Sequence, residues 1–154
     1  MTVADEELAR YGRQLTLLAR VIEATLGDLS LTGYRVLALV EQGDHRSSEI
    51  ARQLAVGRPT VTYAVDTLVD KGLLERETAE SDRRVIQLRL TRAGREALRR
   101  ADRAITARLR PVFEHIEDPD AALRTLHQVH DATVATRAEW LRLVAARHKK
   151  RRST

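Results

Sequence analysis

At 154 residues and 43% hydrophobic, the chain can bury one domain core, or one domain with helical extensions. With aromatics at 3%, that core must rest on Leu, Val, Ile and Ala. No run approaches the roughly 18 uncharged apolar residues of a membrane helix. The acidic start MTVADEELAR lacks a secretory pattern, and the absence of cysteine excludes disulfides, thiolate metal sites and thiol redox switches. The net charge of +5 is carried entirely by the tail RHKKRRST. Residues 1–82 hold 9 basic and 14 acidic side chains, whereas residues 83–110 hold 10 and 2. An excess of that size is what a phosphate backbone attracts.

From Asp5 to about Leu26, the residues Leu8, Tyr11, Leu15, Leu18 and Ile22 step by three and four and predict a helix with one apolar seam. Leu17 and Val21 add a second stripe, so this helix is expected to be buried on two sides, with Gly27 ending it. Thr32 can cap a short helix from Gly33 to Gln42, which Gly43 stops. Ser47 can cap a helix of about two turns with Ile50 and Leu54 inward, and Ala55-Val56-Gly57 makes a tight turn. A further helix opens at Arg58-Pro59, where proline is tolerated, and runs to Lys71 before Gly72. Two short helices joined by a glycine-containing turn are a helix-turn-helix.

Leu73–Glu77 reads as a strand, and the stretch SDRRVIQLRL reads as its partner, with Ile86, Leu88 and Leu90 on one face. Residues 78–84 form the loop of that hairpin, a wing. Thr91 then caps a long helix whose stripe is Leu98, Ala101, Ile105, Leu109, Val112 and Ile116. Pro111 inside it predicts a kink or local distortion. After a break at residues 117–119, Asp118 caps a last helix carrying Leu126, Val129, Val134, Leu141 and Val144. These outer seams exceed what a winged helix needs for its own core. A second copy of the chain is the simplest cover for them, and a three-helix bundle within one chain is the alternative.

On the second helix of the motif, Ala64, Val65 and Leu68 lie within roughly 60° of Val61 and form the buried face. Pro59, Thr60, Tyr63, Asp66, Thr67 and Asp70 point away, with Arg58 and Thr62 at the flanks. Hydroxyls and arginine can reach base edges and phosphates in a major groove, while Asp66 and Asp70 would repel phosphate. At the hairpin tip, Asp82 can hold the Arg84 guanidinium extended toward a narrow minor groove.

The stretch RPTVTYAVDTLVDKGLLERETAESDRRVIQLRLTRAGREAL, preceded by SLTGYRVLALVEQG and SSEIARQLAVG, resembles the MarR (multiple antibiotic resistance regulator) family of bacterial winged-helix transcription factors. The likeness covers that family's recognition helix, its D-x-R wing and the Leu-Thr-x-x-Gly opening of the next helix. It implies a mainly α fold with a small β-hairpin, in which a winged helix-turn-helix lobe is joined to N- and C-terminal helices that interlock in a homodimer. The implied function is sequence-specific binding of double-stranded DNA at a pseudo-palindromic operator, mostly as a repressor, with release by a small aromatic or phenolic effector. By position, Arg58, Pro59, Thr60, Thr62 and Tyr63 match the groove-facing part of the recognition helix. Asp82, Arg83 and Arg84 match the wing, and Ser47 and Ser48 match a helix start that touches phosphate.

The organisation expected is an N-terminal dimerisation helix over 1–30, the DNA-binding domain over 31–92, long dimerisation helices over 93–148 and a disordered basic tail over 149–154. No enzyme is expected, because there is no glycine-rich phosphate loop, cysteine nucleophile or zincin-type helix. No cofactor is expected, and no metal, although His127 and His130 share one helix face. No membrane partner is expected, and the location is cytoplasmic and nucleoid-associated. Tyr11, Tyr34, Phe113, Trp140, Arg13 and Arg20 all have packing or solvated readings, so no ligand site is assigned. A non-specific DNA-coating protein, suggested by the basic tail, is the alternative.

Overall fold

A computed structural model describes the backbone of residues 4–43, 46–54, 56–79 and 82–151, and their side chains except those of residues 79, 82–85 and 137–151. Its elements in chain order are α1 (Asp5–Thr25), α2 (Leu31–Glu41), α3 (Ser47–Leu54), α4 (Arg58–Asp70), β1 (Leu74–Ala79), β2 (Asp82–Leu90), α5 (Arg92–Glu114) and α6 (Pro119–Arg151). This is the mainly helical, single-hairpin architecture that the periodicity predicts. The chain divides into two compact units, Met1–Leu109 and Arg110–Thr154.

In the first unit the core is built on aliphatics alone. Val36, Leu37 and Val40 of α2 meet Ile50, Ala51 and Leu54 of α3, and Val61, Ala64, Val65 and Leu68 of α4. Leu74, Leu88 and Leu90 of the hairpin and Leu98 of α5 close it. Each leucine or isoleucine fully removed from water contributes about 1.5–3 kcal/mol, and no buried polar or charged residue opposes this among the described residues.

Several local expectations are corrected. α2 starts at Leu31, two residues before the predicted Gly33, because Ser30 rather than Thr32 is the cap. Its extended backbone lets the hydroxyl accept from the Gly33 amide at 3.0 Å. The Arg46 carbonyl, not Ser47, heads α3, accepting from the amides of Glu49 and Ile50. α4 ends one residue earlier than predicted, with the left-handed Gly72 (φ 67°) behind it. The Leu73 amide reaches back to the Leu68 carbonyl at 2.8 Å and the Gly72 amide to Val69 at 2.8 Å, the paired bonds of a Schellman end. Leu73 is thereby spent on the reversal, and β1 begins at Leu74.

The hairpin is longer than predicted. Its antiparallel ladder runs Leu74↔Leu90, Arg76↔Leu88 and Thr78↔Ile86, and after an irregularity ends at Ala79↔Asp82. Most of the expected 78–84 loop is therefore strand, supported by a 2.7 Å pair between Arg89 Nε and Glu77 Oε2. Ile86, expected beside Leu88 and Leu90 in the core, is 60% exposed, since the ladder outruns the buried residues at Leu88.

Thr91 caps α5 as predicted, its Oγ1 accepting from the Gly94 amide at 2.9 Å and itself donating to the Gly72 carbonyl at 2.7 Å. α5 is continuous through Pro111, where a distortion is predicted. None of α1 is buried in the single chain, against the expectation of two buried sides. Leu8, Tyr11, Leu15, Leu17 and Leu18 all face solvent.

In the second unit, Asp118 Oδ1 accepts from the Ala121 amide at 2.9 Å and caps α6 as predicted. α6 leaves Leu123, Leu126, Val129 and Val134 exposed. It reaches Arg151, three residues into the stretch expected to be a disordered tail, and residues 152–154 lie outside the described residues. Among the described residues no helix is long and apolar enough to cross a membrane.

Candidate nucleic-acid interface

α3 buries Ile50, Ala51 and Leu54 and turns Ser47 and Ser48 outward at its first turn. The amides of a first turn have no partner within the helix and suit an anion. Glu49 shares that turn and would oppose a phosphate. The Arg52 guanidinium grips it, with Nε 3.2 Å from Oε2, and holds its carboxyl below the usual carboxylate range.

α4 follows from Gly57, whose extended backbone and carbonyl start the helix, with Arg58 and Pro59 in the first turn. The buried set is Val61, Ala64, Val65 and Leu68, the face predicted from the 100° step. Opposite it, Arg58, Pro59, Thr60, Thr62 and Tyr63 are all exposed, Tyr63 at 76%. The Thr62 hydroxyl donates to the Arg58 carbonyl at 3.0 Å, which leaves its oxygen lone pairs and methyl group available outward. The exposed half of α4 thus offers a guanidinium, hydroxyls and one phenol, with no large aliphatic.

Asp66, expected to repel phosphate, is instead paired with Arg76 of β1. That ion pair also ties the hairpin to α4. Arg76 was not a sequence candidate, since the contact exists only because the chain reverses at residues 71–73. Arg52 could have been found from its i, i+3 spacing to Glu49.

The structure therefore brings Ser47, Ser48, Arg58, Pro59, Thr60, Thr62 and Tyr63 onto two packed helices, with the hairpin fastened beside them. The side chains of the predicted wing residues Asp82, Arg83 and Arg84 lie outside the described residues, although their backbone belongs to β2. Among the described residues no group of His and acidic side chains could hold a metal ion.

A separate cavity of about 660 Å³ opens between the end of α1, the α4 terminus and α5. Its wall includes Leu26, Leu73 and Ala101, with Lys71 and Arg100 as cations and Asp28 as an acid. Lys71 Nζ donates to the Asp28 carbonyl at 2.8 Å.

Comparison with known proteins agrees with this geometry. The MarR family model matches residues 29–86. The transcriptional regulator AdcR of Streptococcus pneumoniae is 38% identical over 63 residues, which is 41% of this chain and 43% of the relative. The chain spans about half the length of the curated relatives it matches. Among solved structures, the transcriptional repressor CouR bound to a 23-mer DNA duplex has a TM-score of 0.71 at 26% identity, covering 88% of this chain and 99% of that one. CouR from Rhodococcus jostii RHA1 bound to p-coumaroyl-CoA has a TM-score of 0.69 at 23% identity, covering 80% and 87%.

Proposed function

We propose, from its similarity to the MarR family of winged helix-turn-helix transcriptional regulators, that this chain is a repressor of that family. It binds a pseudo-palindromic operator as a homodimer and is released by a small aromatic ligand. The observation that carries this reading is the exposed N-terminal half of α4. It presents Arg58, Thr60, Thr62 and Tyr63 on a surface where Arg76 neutralises Asp66, the next carboxylate along α4. Such a helix fits a major groove, with its hydroxyls and guanidinium facing base edges and phosphates. Ser47 and Ser48 at the start of α3 take a phosphate, and Arg83 and Arg84 take the adjacent minor groove, with Asp82 holding the Arg84 guanidinium extended.

Dimerisation is supported by the seams that each unit leaves uncovered by itself: Leu8, Tyr11, Leu15 and Leu18 on α1, and Leu123, Leu126 and Val129 on α6. Faces of that extent in water mark an interface. Effector release is supported by the cavity lined by Leu26, Leu29, Leu73 and Ala101, where the two cations Lys71 and Arg100 outnumber the one acid, Asp28, a wall that suits an aromatic acid or its thioester. CouR, similar in fold, binds an aromatic acyl-CoA.

Fluorescence anisotropy with the chain's own upstream intergenic duplex and a scrambled control, at two salt concentrations, tests the reading. A preference of about 10³-fold or more is expected, with Arg84→Ala losing about 1–3 kcal/mol of it. Equal, steeply salt-dependent affinity for both duplexes would sink specific repression and favour a DNA-coating role.

A further inference from the structure

Ile86 occupies an odd position. It shares a strand face with Leu88 and Leu90, both buried, yet is itself 60% exposed. The ladder pairs it with Thr78, and pairs Leu88 with Arg76, whose guanidinium reaches Asp66 of α4. Directly opposed residues of an antiparallel pair share one side of the sheet. The side carrying Thr78 and Ile86 is therefore the side turned toward α4.

After the reversal at residues 71–73, β1 runs back along α4. Leu73 bonds Leu68, and Arg76 meets Asp66. One further same-face step of about 6.6 Å carries Thr78 and Ile86 past Asp66, in the direction of the exposed Thr62–Tyr63 turn. Between residues 29 and 109, Tyr63 and Ile86 are the exposed large hydrophobics among the described residues. Two isolated side chains are far too little for a protein interface, which needs hundreds of Å² per partner. A single aliphatic wedge is sufficient against a nucleic-acid groove. Next to Ile86 in sequence, residues 83–89 hold Arg83, Arg84 and Arg89 and no acidic side chain, so the stretch that carries it is basic.

We propose that Ile86 is a DNA contact. It packs its branched side chain against the deoxyribose wall of the minor groove that the wing enters, so that apolar complementarity adds to the charge of the arginines. The inference rests on the DNA-binding reading and adds to it a residue whose contribution does not depend on salt. β-Branching leaves Ile86 few rotamers to lose on contact. Groove width governs how closely such a side chain fits, which makes the contact sensitive to A·T content.

The test measures binding of wild type, Ile86→Ala and Ile86→Thr to the upstream duplex across a salt series, together with their thermal midpoints. Ile86→Ala is expected to lose roughly 5- to 10-fold in affinity, an effect in keeping with a few lost methyl groups. Its salt slope should be unchanged, because no counterion is released by an aliphatic group; loss of a phosphate contact would instead lower the slope by about 1. The thermal midpoints should stay at the wild-type value, since the side chain is exposed. Affinity within twofold of wild type for both variants, or a loss that tracks a fall in thermal midpoint, would overturn the proposal while leaving specific DNA binding intact. A wild type with no preference for the upstream duplex would overturn both.

Discussion

The hydroxyl of Tyr34 on α2 donates a 2.8 Å hydrogen bond to Oδ1 of Asp102 on α5, 68 positions along the chain. It joins the helix-turn-helix lobe to the helix that leaves it. Burial of the phenol first, and then the bond and charge of Asp102, push its pKa up from 10.0 to about 12. The folded protein holds this proton more tightly than the unfolded chain. Its contribution is therefore complete below pH 10 and is lost as pH rises from about 10 to about 12. Tyr34→Phe should cost about 1 kcal/mol at pH 8, and its deficit relative to wild type should shrink through that window. Urea unfolding at pH 8, 10 and 11 measures both. A deficit independent of pH would mean that the bond does not hold the proton.

The pairing of Asp66 with Arg76 predicts an effect on binding larger than on folding. Both side chains are about half exposed, so the pair contributes only about 0–1 kcal/mol to stability. Arg76→Ala would leave an uncompensated carboxylate at the edge of the proposed DNA-binding face. Operator affinity should fall several-fold, and Asp66→Asn in the Arg76→Ala background should recover most of it. Failure of the second substitution to rescue would assign the loss to the missing cation alone.

Gly94 predicts a reversal of ordinary helix propensity. It lies inside α5, where alanine is normally better by about 1 kcal/mol. A Cβ at this site would stand 1.9 Å from the Leu73 carbonyl oxygen and 2.9 Å from its carbon, both backbone atoms. Gly94→Ala should therefore destabilise by more than about 2 kcal/mol, because α5 must move off the β1 entry. A denaturation midpoint at or above wild type would contradict this crossing.

The seam of α1 predicts an assembly. Wild type should sediment at about twice 17.4 kDa. Leu15→Glu, which places a charge in the middle of a 40% exposed apolar site, should shift the population to monomer and weaken operator binding together with it. Sedimentation equilibrium decides this; a monomeric wild type would refute the seam as a self-interface.

The register of the buried faces was legible without coordinates. Val61, Ala64, Val65 and Leu68 follow from the helical step alone, and the caps Thr91 and Asp118 from residue type next to an apolar run. The exposed set Arg58, Pro59, Thr60, Thr62 and Tyr63 is the complement of that face and was legible for the same reason. Local rules failed where two local candidates competed, as with Ser30 against Thr32, because the winner depends on which hydroxyl the first turn presents to an amide.

What the sequence by itself determined is therefore whatever rests on periodicity and short-range hydrogen bonding: the order of elements, the faces of the helices and the identity of the helix-turn-helix. Only the tertiary structure decided which same-face residues are covered. Ile86 and Leu88 share one strand face and an apolar character, yet one lies in water and the other in the core, because the buried core stops between them. Likewise Asp66 read as a repulsive charge until the chain reversal brought Arg76 to it. Periodicity assigns a direction to each side chain. Burial and pairing depend on what stands in that direction, and that is set by residues distant in the chain.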